Sequence, residues 1–140
     1  MRFMIIRKAD AETEGAAIAT EPLAAAMMAY HEEMGRALKI LGGDGLKPSS
    51  KGARVKFSRG QPLMTDGPFA ETKELIAGYT LVEANSLEEV LEWARRWPPL
   101  DGGGDVELEI RELYEIEDFG EAFTPDQRER EARLRQQLDT

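Results

Sequence analysis

Residues 64–79 have the sequence MTDGPFAETKELIAGY, which is more informative about the fold than any other segment of the chain. Asp66 can hydrogen-bond to its own backbone two residues on, Gly67 adopts positive φ angles readily, and Pro68 keeps Gly67 out of the α region. Gly and Pro also make the segment unsuitable for the interior of a helix or a strand. It is therefore predicted to be a turn, and turns are common places for functional residues.

The same segment resembles the signature of a known family. The matching residues are Asp66, Gly67, Pro68, Phe69, Glu71, Lys73, Glu74, Gly78 and Tyr79. In this pattern the chain is similar to the DGPF-domain proteins, a branch of the YCII-related superfamily, and the resemblance extends from about Arg2 to about Leu113. It implies an α+β, ferredoxin-like fold of the dimeric α/β-barrel type, with an antiparallel sheet, two helices on one face and two subunits joined through their sheets. The biochemical activity of this family is largely unassigned.

Hydrophobic periodicity predicts the first strand and the first long helix. Residues 2–7 alternate with apolar side chains on both faces, which indicates a central strand that is covered on both sides. A partner subunit is the simplest cover for the second face. A helix is predicted to begin near Pro22 and to keep one apolar face as far as Leu41, where Gly42-Gly43 ends it.

The rest of the chain completes a split βαβ pattern. Alternation predicts strands at residues 53–58, 63–65, 78–84 and 106–111. Ser86 and Glu89 have the spacing of a capping box, which predicts the start of a second helix. The order strand, helix, strand pair, helix, strand is that of ferredoxin-like domains. Residues 9–20 lack periodicity and are predicted to be a mobile loop, and residues 101–104 are predicted to be a flexible connection.

Two parts of the chain differ in character. Residues 1–118 are predicted to form the YCII-related/DGPF domain, and residues 119–140 a charged, helical C-terminal extension. Pairs such as Glu129 and Arg133 have the i,i+4 spacing that supports a solvated helix. Such a helix is either a solvated tail or a segment that contacts a partner through Phe123, Leu134 and Leu138.

Composition excludes several classes of site. The chain of 140 residues is 41% apolar and 32% charged, as is typical of one globular domain. It has no cysteine, which excludes disulfides and thiolate sites, and its single histidine excludes a histidine-rich metal site within one subunit. A carboxylate-only site for a hard cation stays possible, but no clustered spacing supports one, so no cofactor is expected.

Charge and hydropathy bear on partners and location. The net charge is −9, which argues against direct contact with a nucleic-acid backbone. The apolar run at residues 3–6 is too short for a signal peptide or a membrane span. We therefore expect a cytoplasmic protein that binds neither nucleic acid nor a membrane.

His31 and Asp66 are the candidate catalytic residues. His31 is the one side chain with an ordinary pKa near neutrality, and it lies on the flank of the first helix's apolar face. A histidine–aspartate pair is what the resemblance implies, with Asp66 at the aspartate of the motif. Each residue also has a structural alternative, because a histidine beside an apolar stripe is often simply half-buried and an aspartate before Gly-Pro commonly caps its own turn.

A polar pocket beside the turn is the candidate ligand-binding site. The residues predicted to line it are Asp66, Phe69, Glu71, Lys73, Glu74, Tyr79, Glu109 and Arg111. Strand alternation is expected to put Arg54 and Lys56 on the same sheet face as Glu109 and Arg111, opposite the side chains that meet the helices. If a second subunit covers that face, the charges line a cavity, where ligand binding and pKa shifts are favoured.

Three functions are compatible with these features. The first is a small-molecule-binding or accessory module that acts as a homodimer; the resemblance implies a link to extracytoplasmic-function sigma factors without direct DNA contact. The second is an enzyme for hydrolytic or dehalogenating steps on small aromatic compounds. In it His31 or Asp66 is the general base, and Lys73 or Arg111 stabilises negative charge. The third is an interaction protein that uses its C-terminal extension.

Overall fold

The computed structural model describes residues 1–15 and 17–138. The strands are β1 (Arg2–Lys8), β2 (Lys39–Gly45), β3 (Ala53–Ser58), β4 (Gln61–Asp66), β5 (Ile76–Glu83) and β6 (Leu108–Glu112). The α-helices are α1 (Ala11–Glu14), α2 (Glu21–Ala37), α3 (Leu87–Ala94) and α4 (Pro125–Leu138). None of the helices in these described ranges is long and apolar enough to cross a membrane.

The main sheet has four antiparallel strands in the order β2-β5-β1-β6. In chain order these are its second, third, first and fourth strands, which is the ferredoxin-like arrangement, and the predicted fold class is confirmed. The predicted central position of β1 is also confirmed, because β1 pairs with β5 on one side and β6 on the other.

The core lies between one face of this sheet and the helices α2 and α3. Phe3 and Ile5 of β1 are each 1% exposed and form one buried cluster with Met34 of α2 and Val90 of α3. The hydroxyl of Tyr30 donates to the carbonyl oxygen of Trp93 at 2.5 Å, which joins the two helices. Burial raises the pKa of Tyr30 to about 12.

The cap of α3 agrees with its sequence pattern. Ser86 Oγ accepts a hydrogen bond from the backbone nitrogen of Glu89 at 3.2 Å, as predicted. The Glu89 carboxylate accepts from the backbone nitrogen of Asn85 at 2.9 Å, one residue earlier than a capping box requires. Both bonds satisfy backbone groups at the start of the helix.

The predicted end of α2 is wrong, because residues 39–45 form an edge strand. Helix α2 ends at Ala37, and β2 then pairs with β5. The glycines belong to this pairing: a Cβ atom at Gly43 would lie 2.8 Å from the carbonyl oxygen of Tyr79, closer than real contacts allow. The apolar spacing to Leu41 therefore continues past the helix by coincidence.

The predicted hairpin forms, but its predicted place in the main sheet is wrong. Strands β3 and β4 pair only with each other, as a separate two-stranded sheet. Arg54 and Lys56 therefore do not share a sheet with Glu109 and Arg111. Phe57, expected to meet the helices, is 66% exposed.

Two predicted loops have more structure than expected. Asp10 caps α1 by accepting from the backbone nitrogen of Thr13 at 2.8 Å, within the predicted loop 9–20, of which Ala16 lies outside the described residues. Residues 101–104, expected to be a flexible connection, form a 3-10 turn. That turn positions Asp101 for the site described below.

The C-terminal extension contains the predicted helix, α4. Thr124 and Gln127 cap it reciprocally, at 3.2 and 2.9 Å. The ring of Phe123 packs on Phe119 at 5.1 Å between centroids, and Leu138 is 76% exposed. The last two residues of the extension, 139 and 140, lie outside the described part. The predicted domain boundary at residue 118 stays a prediction.

Candidate functional site

A cavity of about 710 Å³ lies between α2 and the helix-covered face of the sheet. Its walls come from β1, β2, β5 and α2, together with Trp97 and Asp101 after α3. Most of the side chains around it are apolar, and the polar groups are few. Mostly apolar cavities of this size with a few placed polar groups are typical of small-molecule sites.

His31 supplies an unpaired polar atom at this cavity. The side chain is half-buried on α2, and its Nε2 is buried with no hydrogen-bond partner among the described residues. The imidazole lies 6.5 Å from the Trp97 ring, centroid to centroid, in an edge-on arrangement. Burial lowers the pKa of His31 below 6.5. His31 is therefore neutral at neutral pH, and its Nε2 is covered by protein atoms rather than open to the cavity.

Arg7 is buried at the same cavity, and its N–H groups already donate to acceptors within the protein. Its Nε and Nη2 donate to the two carboxylate oxygens of Asp101, at 3.0 and 2.8 Å. Its Nη1 donates to Asp10 Oδ2 at 2.9 Å and to the carbonyl oxygen of Lys8 at 2.7 Å. The hydrogen bond to Asp101 is the main reason that the pKa of Arg7 is raised. This cation is therefore neutralised by two carboxylates.

Asp101 is hydrogen-bonded both to Arg7 and to Trp97, whose ring lies near His31. Its Oδ2 also accepts from Trp97 Nε1 at 2.8 Å. Burial acts to raise the pKa of Asp101, but the hydrogen bonds from Arg7 and Trp97 outweigh it, and the pKa is lowered. The carboxylate therefore stays ionised and holds both partners in place.

The turn at Asp66–Phe69 forms a structural junction apart from this cavity. The backbone nitrogen of Gly67 donates to Gly52 O at 3.0 Å, and that of Phe69 donates to Ser49 Oγ at 3.1 Å. Ser49 is bound in turn by the carboxylate of Glu14. A Cβ atom at Gly67 would lie 1.7 Å from Ser49 O, so the chain passes where only glycine fits. Asp66 itself is exposed at the end of β4 and does not line the cavity of His31.

The sequence comparisons identify the family. The model of the YCII-related domain matches residues 1–115. The chain belongs to the YCII-related family.

Two similar proteins accompany this match to the YCII-related family. An uncharacterized protein, R00369 of Rhizobium meliloti (strain 1021), is 44% identical over 50 residues, 36% of this chain and 40% of that relative's length. Among solved structures, 5-chloro-2-hydroxyhydroquinone dehydrochlorinase (TftG) from Burkholderia phenoliruptrix AC1100, in complex with 2,5-dihydroxybenzoquinone, is 19% identical. The similarity covers 84% of this chain and 98% of that one, with a TM-score of 0.47.

The other predicted site residues of this YCII-related chain are dispersed. Tyr79 borders the cavity of His31, but its pairing with Ile6 puts its side chain on the opposite face of the sheet. Lys73 lines a separate cleft of about 390 Å³. Glu109 and Arg111 pair with each other at 3.4 Å on β6. The remaining members of the predicted set that line neither space are Asp66, Phe69, Glu71 and Glu74.

The sequence analysis missed Arg7, Trp97 and Asp101. A signal for Arg7 was present, since alternation in β1 puts it on the same face as Phe3 and Ile5, and a cation on a core-facing position needs an anionic partner. Within residues 1–15 and 17–138 no group of three or more histidine or carboxylate side chains could hold a metal ion. His31, Arg7 and Asp101 are among the polar side chains that line the cavity.

Acidification is expected to destabilise this YCII-related protein through His31. Because its pKa is lowered in the folded state, the unfolded chain takes up a proton first as pH falls below about 6.5, and the free energy of unfolding then decreases until the folded pKa is passed. His31 is the chain's one histidine, so His31→Gln should remove this pH dependence. Urea unfolding of the wild type and of His31→Gln between about pH 7.5 and pH 5.5 measures how the free energy of unfolding changes with pH. If this free energy falls equally with pH in both proteins, the imidazole is not buried.

Proposed function

We propose that this YCII-related protein binds a small molecule in the cavity between α2 and the sheet, with His31 as the residue that recognises it. The observation that carries the proposal is the buried Nε2 of His31 without a hydrogen-bond partner among the described residues. A buried polar atom without a partner costs about 1–3 kcal/mol, which a ligand group in the cavity recovers when the imidazole turns to present Nε2 to it.

The charges around the cavity favour a neutral ligand. The guanidinium of Arg7 donates four of its five N–H groups to Asp101, Asp10 and the Lys8 carbonyl oxygen, and the two carboxylates neutralise its charge, so it attracts a carboxylate or a phosphate only weakly. The ligand we propose is therefore uncharged, mostly apolar, and carries one hydroxyl or similar group for His31.

A second copy of the chain is the partner in this proposal. Met4 and Ile6 of β1 and Leu81 of β5 lie on the face of the sheet opposite the helices and are half-buried in the single chain. Packing of two sheets through these apolar faces would bury them, which supports the homodimer. Cytoplasmic location, the lack of direct contact with nucleic acid and the association with a sigma factor stay predictions.

A second candidate function is catalysis at the same cavity, with His31 as general base. The lowered pKa favours it, because an imidazole that is unprotonated at neutral pH can accept a proton from a bound hydroxyl. Asp66, Lys73 and Arg111, expected to assist such a reaction, do not line this cavity, so the proposal assigns the proton transfer to His31 alone.

Ligand-observed NMR with a defined panel tests both functions. The panel contains neutral compounds (phenol, benzyl alcohol, cyclohexanol and indole) and charged counterparts (benzoate and benzylamine). We expect the neutral hydroxyl compounds to bind and His31→Phe to weaken them about tenfold, because the variant keeps the ring and loses the nitrogen. Met27→Trp puts a larger side chain at the wall of the cavity and should also weaken binding.

The matched control is Glu32→Gln, which changes the next residue of α2 on its exposed side. It should bind like the wild type. Equal binding by the wild type and His31→Phe, or a preference for benzoate, would contradict the proposal. Consumption of a bound compound by the wild type but not by His31→Phe would establish the catalytic function.

A further inference from the structure

Thr80 is a buried polar residue on the sheet wall of the His31 cavity. It lies on β5, pairs with Ile5 of β1 and is only 7% exposed. Because Ile5 belongs to the core, this pairing puts the Thr80 side chain on the sheet face that the helices cover. Thr80 lines the cavity there, and its hydroxyl forms no hydrogen bond with any group in the described part of the chain. A ligand in the cavity can therefore bond to this hydroxyl.

On the side toward β2, the neighbours of Thr80 have no side chains. Its partner on β2 is Gly43, the next residue of β5 on the same face is Gly78, and Gly78 pairs with Gly45. All three glycines line the cavity. A Cβ atom at Gly43 would lie 3.5 Å from Thr80 Oγ1, so a side chain at this position would shield the hydroxyl. Toward β2, the sheet wall is therefore bare backbone beside one hydroxyl group.

Thr80 and His31 belong to opposite walls of the cavity. His31 comes from α2 and Thr80 from the sheet, and the cavity lies between these two layers. A threonine hydroxyl both donates and accepts hydrogen bonds, and a neutral imidazole has one nitrogen that donates and one that accepts. A compound that bonds to both residues must therefore carry two polar groups at opposite ends.

We propose that Thr80 determines the specificity of this cavity, and that the ligand is a neutral ring compound with a second hydrogen-bonding group, placed opposite the first, for Thr80. The inference rests on the proposed function and narrows its class of ligand. A compound with a single polar group leaves either His31 or Thr80 without a partner when it fills the cavity, and a buried polar group without a partner opposes binding. The sheet wall therefore selects for the second group.

Ligand-observed NMR titrations with three matched compounds test the role of Thr80. The first is para-hydroxybenzyl alcohol; para-methylbenzyl alcohol and para-ethylphenol each replace one of its two hydroxyl groups with a methyl group. We expect the wild type to bind the dihydroxy compound about five- to tenfold more tightly than either relative, as one added hydrogen bond allows. In Thr80→Val, a methyl group replaces the protein hydroxyl, so the three compounds should bind about equally.

Two controls separate recognition from a structural role of Thr80. Thr80→Ser keeps the hydroxyl and should keep the preference for the dihydroxy compound. Thr80→Val loses no hydrogen bond within the described chain, so its free energy of unfolding without ligand should be no lower than that of the wild type. A lower value in urea unfolding would show that the hydroxyl already has a partner in the fold, and this would overturn the proposal.

The remaining outcomes distinguish this inference from the proposed function. If the two relatives bind, His31→Phe weakens them and the wild type gains nothing from the second hydroxyl, then the proposed function stands and the role of Thr80 is overturned. An equal preference for the dihydroxy compound in the wild type and Thr80→Val also overturns that role. If none of the three compounds binds to the wild type, both proposals fail.

Discussion

Replacement of Asp101 by alanine is expected to lower the free energy of unfolding by about 3–5 kcal/mol, the cost of leaving a buried charge without its partner. Arg7 is only 7% exposed, and Asp101 accepts from two of its nitrogens. In Asp101→Ala, Asp10 would be the one remaining carboxylate bound to the Arg7 guanidinium, through Nη1. Urea unfolding at neutral pH, with the transition followed by circular dichroism, measures the loss.

Two controls separate the buried pair from a general effect of the turn. Asp105→Ala removes an exposed carboxylate four residues on and should change stability by less than about 0.5 kcal/mol. The double variant Arg7→Met, Asp101→Leu replaces the ion pair with apolar groups and should recover much of the loss. A loss below about 1 kcal/mol in Asp101→Ala would contradict the buried network, because that is the range of surface pairs.

The replacement Gly67→Ala is expected to destabilise the protein by about 3 kcal/mol, the upper part of the range for overpacking. The new Cβ would lie 1.7 Å from the carbonyl oxygen of Ser49 and 2.6 Å from its carbonyl carbon. Both atoms belong to the backbone, which cannot move aside as a flexible side chain does. The base of the β3–β4 hairpin and the 3-10 turn at residues 49–51 would have to separate.

Gly45→Ala is the matched control for this clash. Gly45 is the last residue of β2, and a Cβ atom there would meet nothing within 4 Å. We expect its unfolding curve to stay close to that of the wild type. If Gly67→Ala and Gly45→Ala have similar stability, then the close approach of the turn to Ser49 is absent in solution.

Local patterns were sufficient to predict most of the fold. The alternation of residues 2–7, the apolar spacing of α2 and the cap at Ser86 each act over a few residues, and the structure contains all three features. Strand β2 was missed because Lys39–Gly45 contains three glycines and has little strand propensity of its own. Its pairing with β5 decides its structure, and that pairing is not visible in a local window.

The candidate site was predictable only in part, because contacts between distant parts of the chain are not visible in a local window of sequence. His31 was recognised from its own chemistry and lies at the cavity, whereas Tyr79 was selected as part of the motif and borders the cavity from the other sheet face. Arg7 and Asp101 are separated by 94 positions in the sequence, so their bond depends on the tertiary fold. The expected pair of His31 and Asp66 was based on the motif at residues 66–69. In the structure, Gly67 and Phe69 of this motif pack the turn against Ser49.

The bond between Trp97 and Asp101 also limits the shape of what can enter the cavity. The indole is held at its nitrogen by a carboxylate that Arg7 fixes in turn, while the ring stands edge-on to the imidazole of His31. An aromatic wall fastened in this way cannot swing aside to admit a thicker molecule without breaking a charged hydrogen bond. The protein should therefore discriminate among ligands by their thickness and accept flat rings more readily than branched ones.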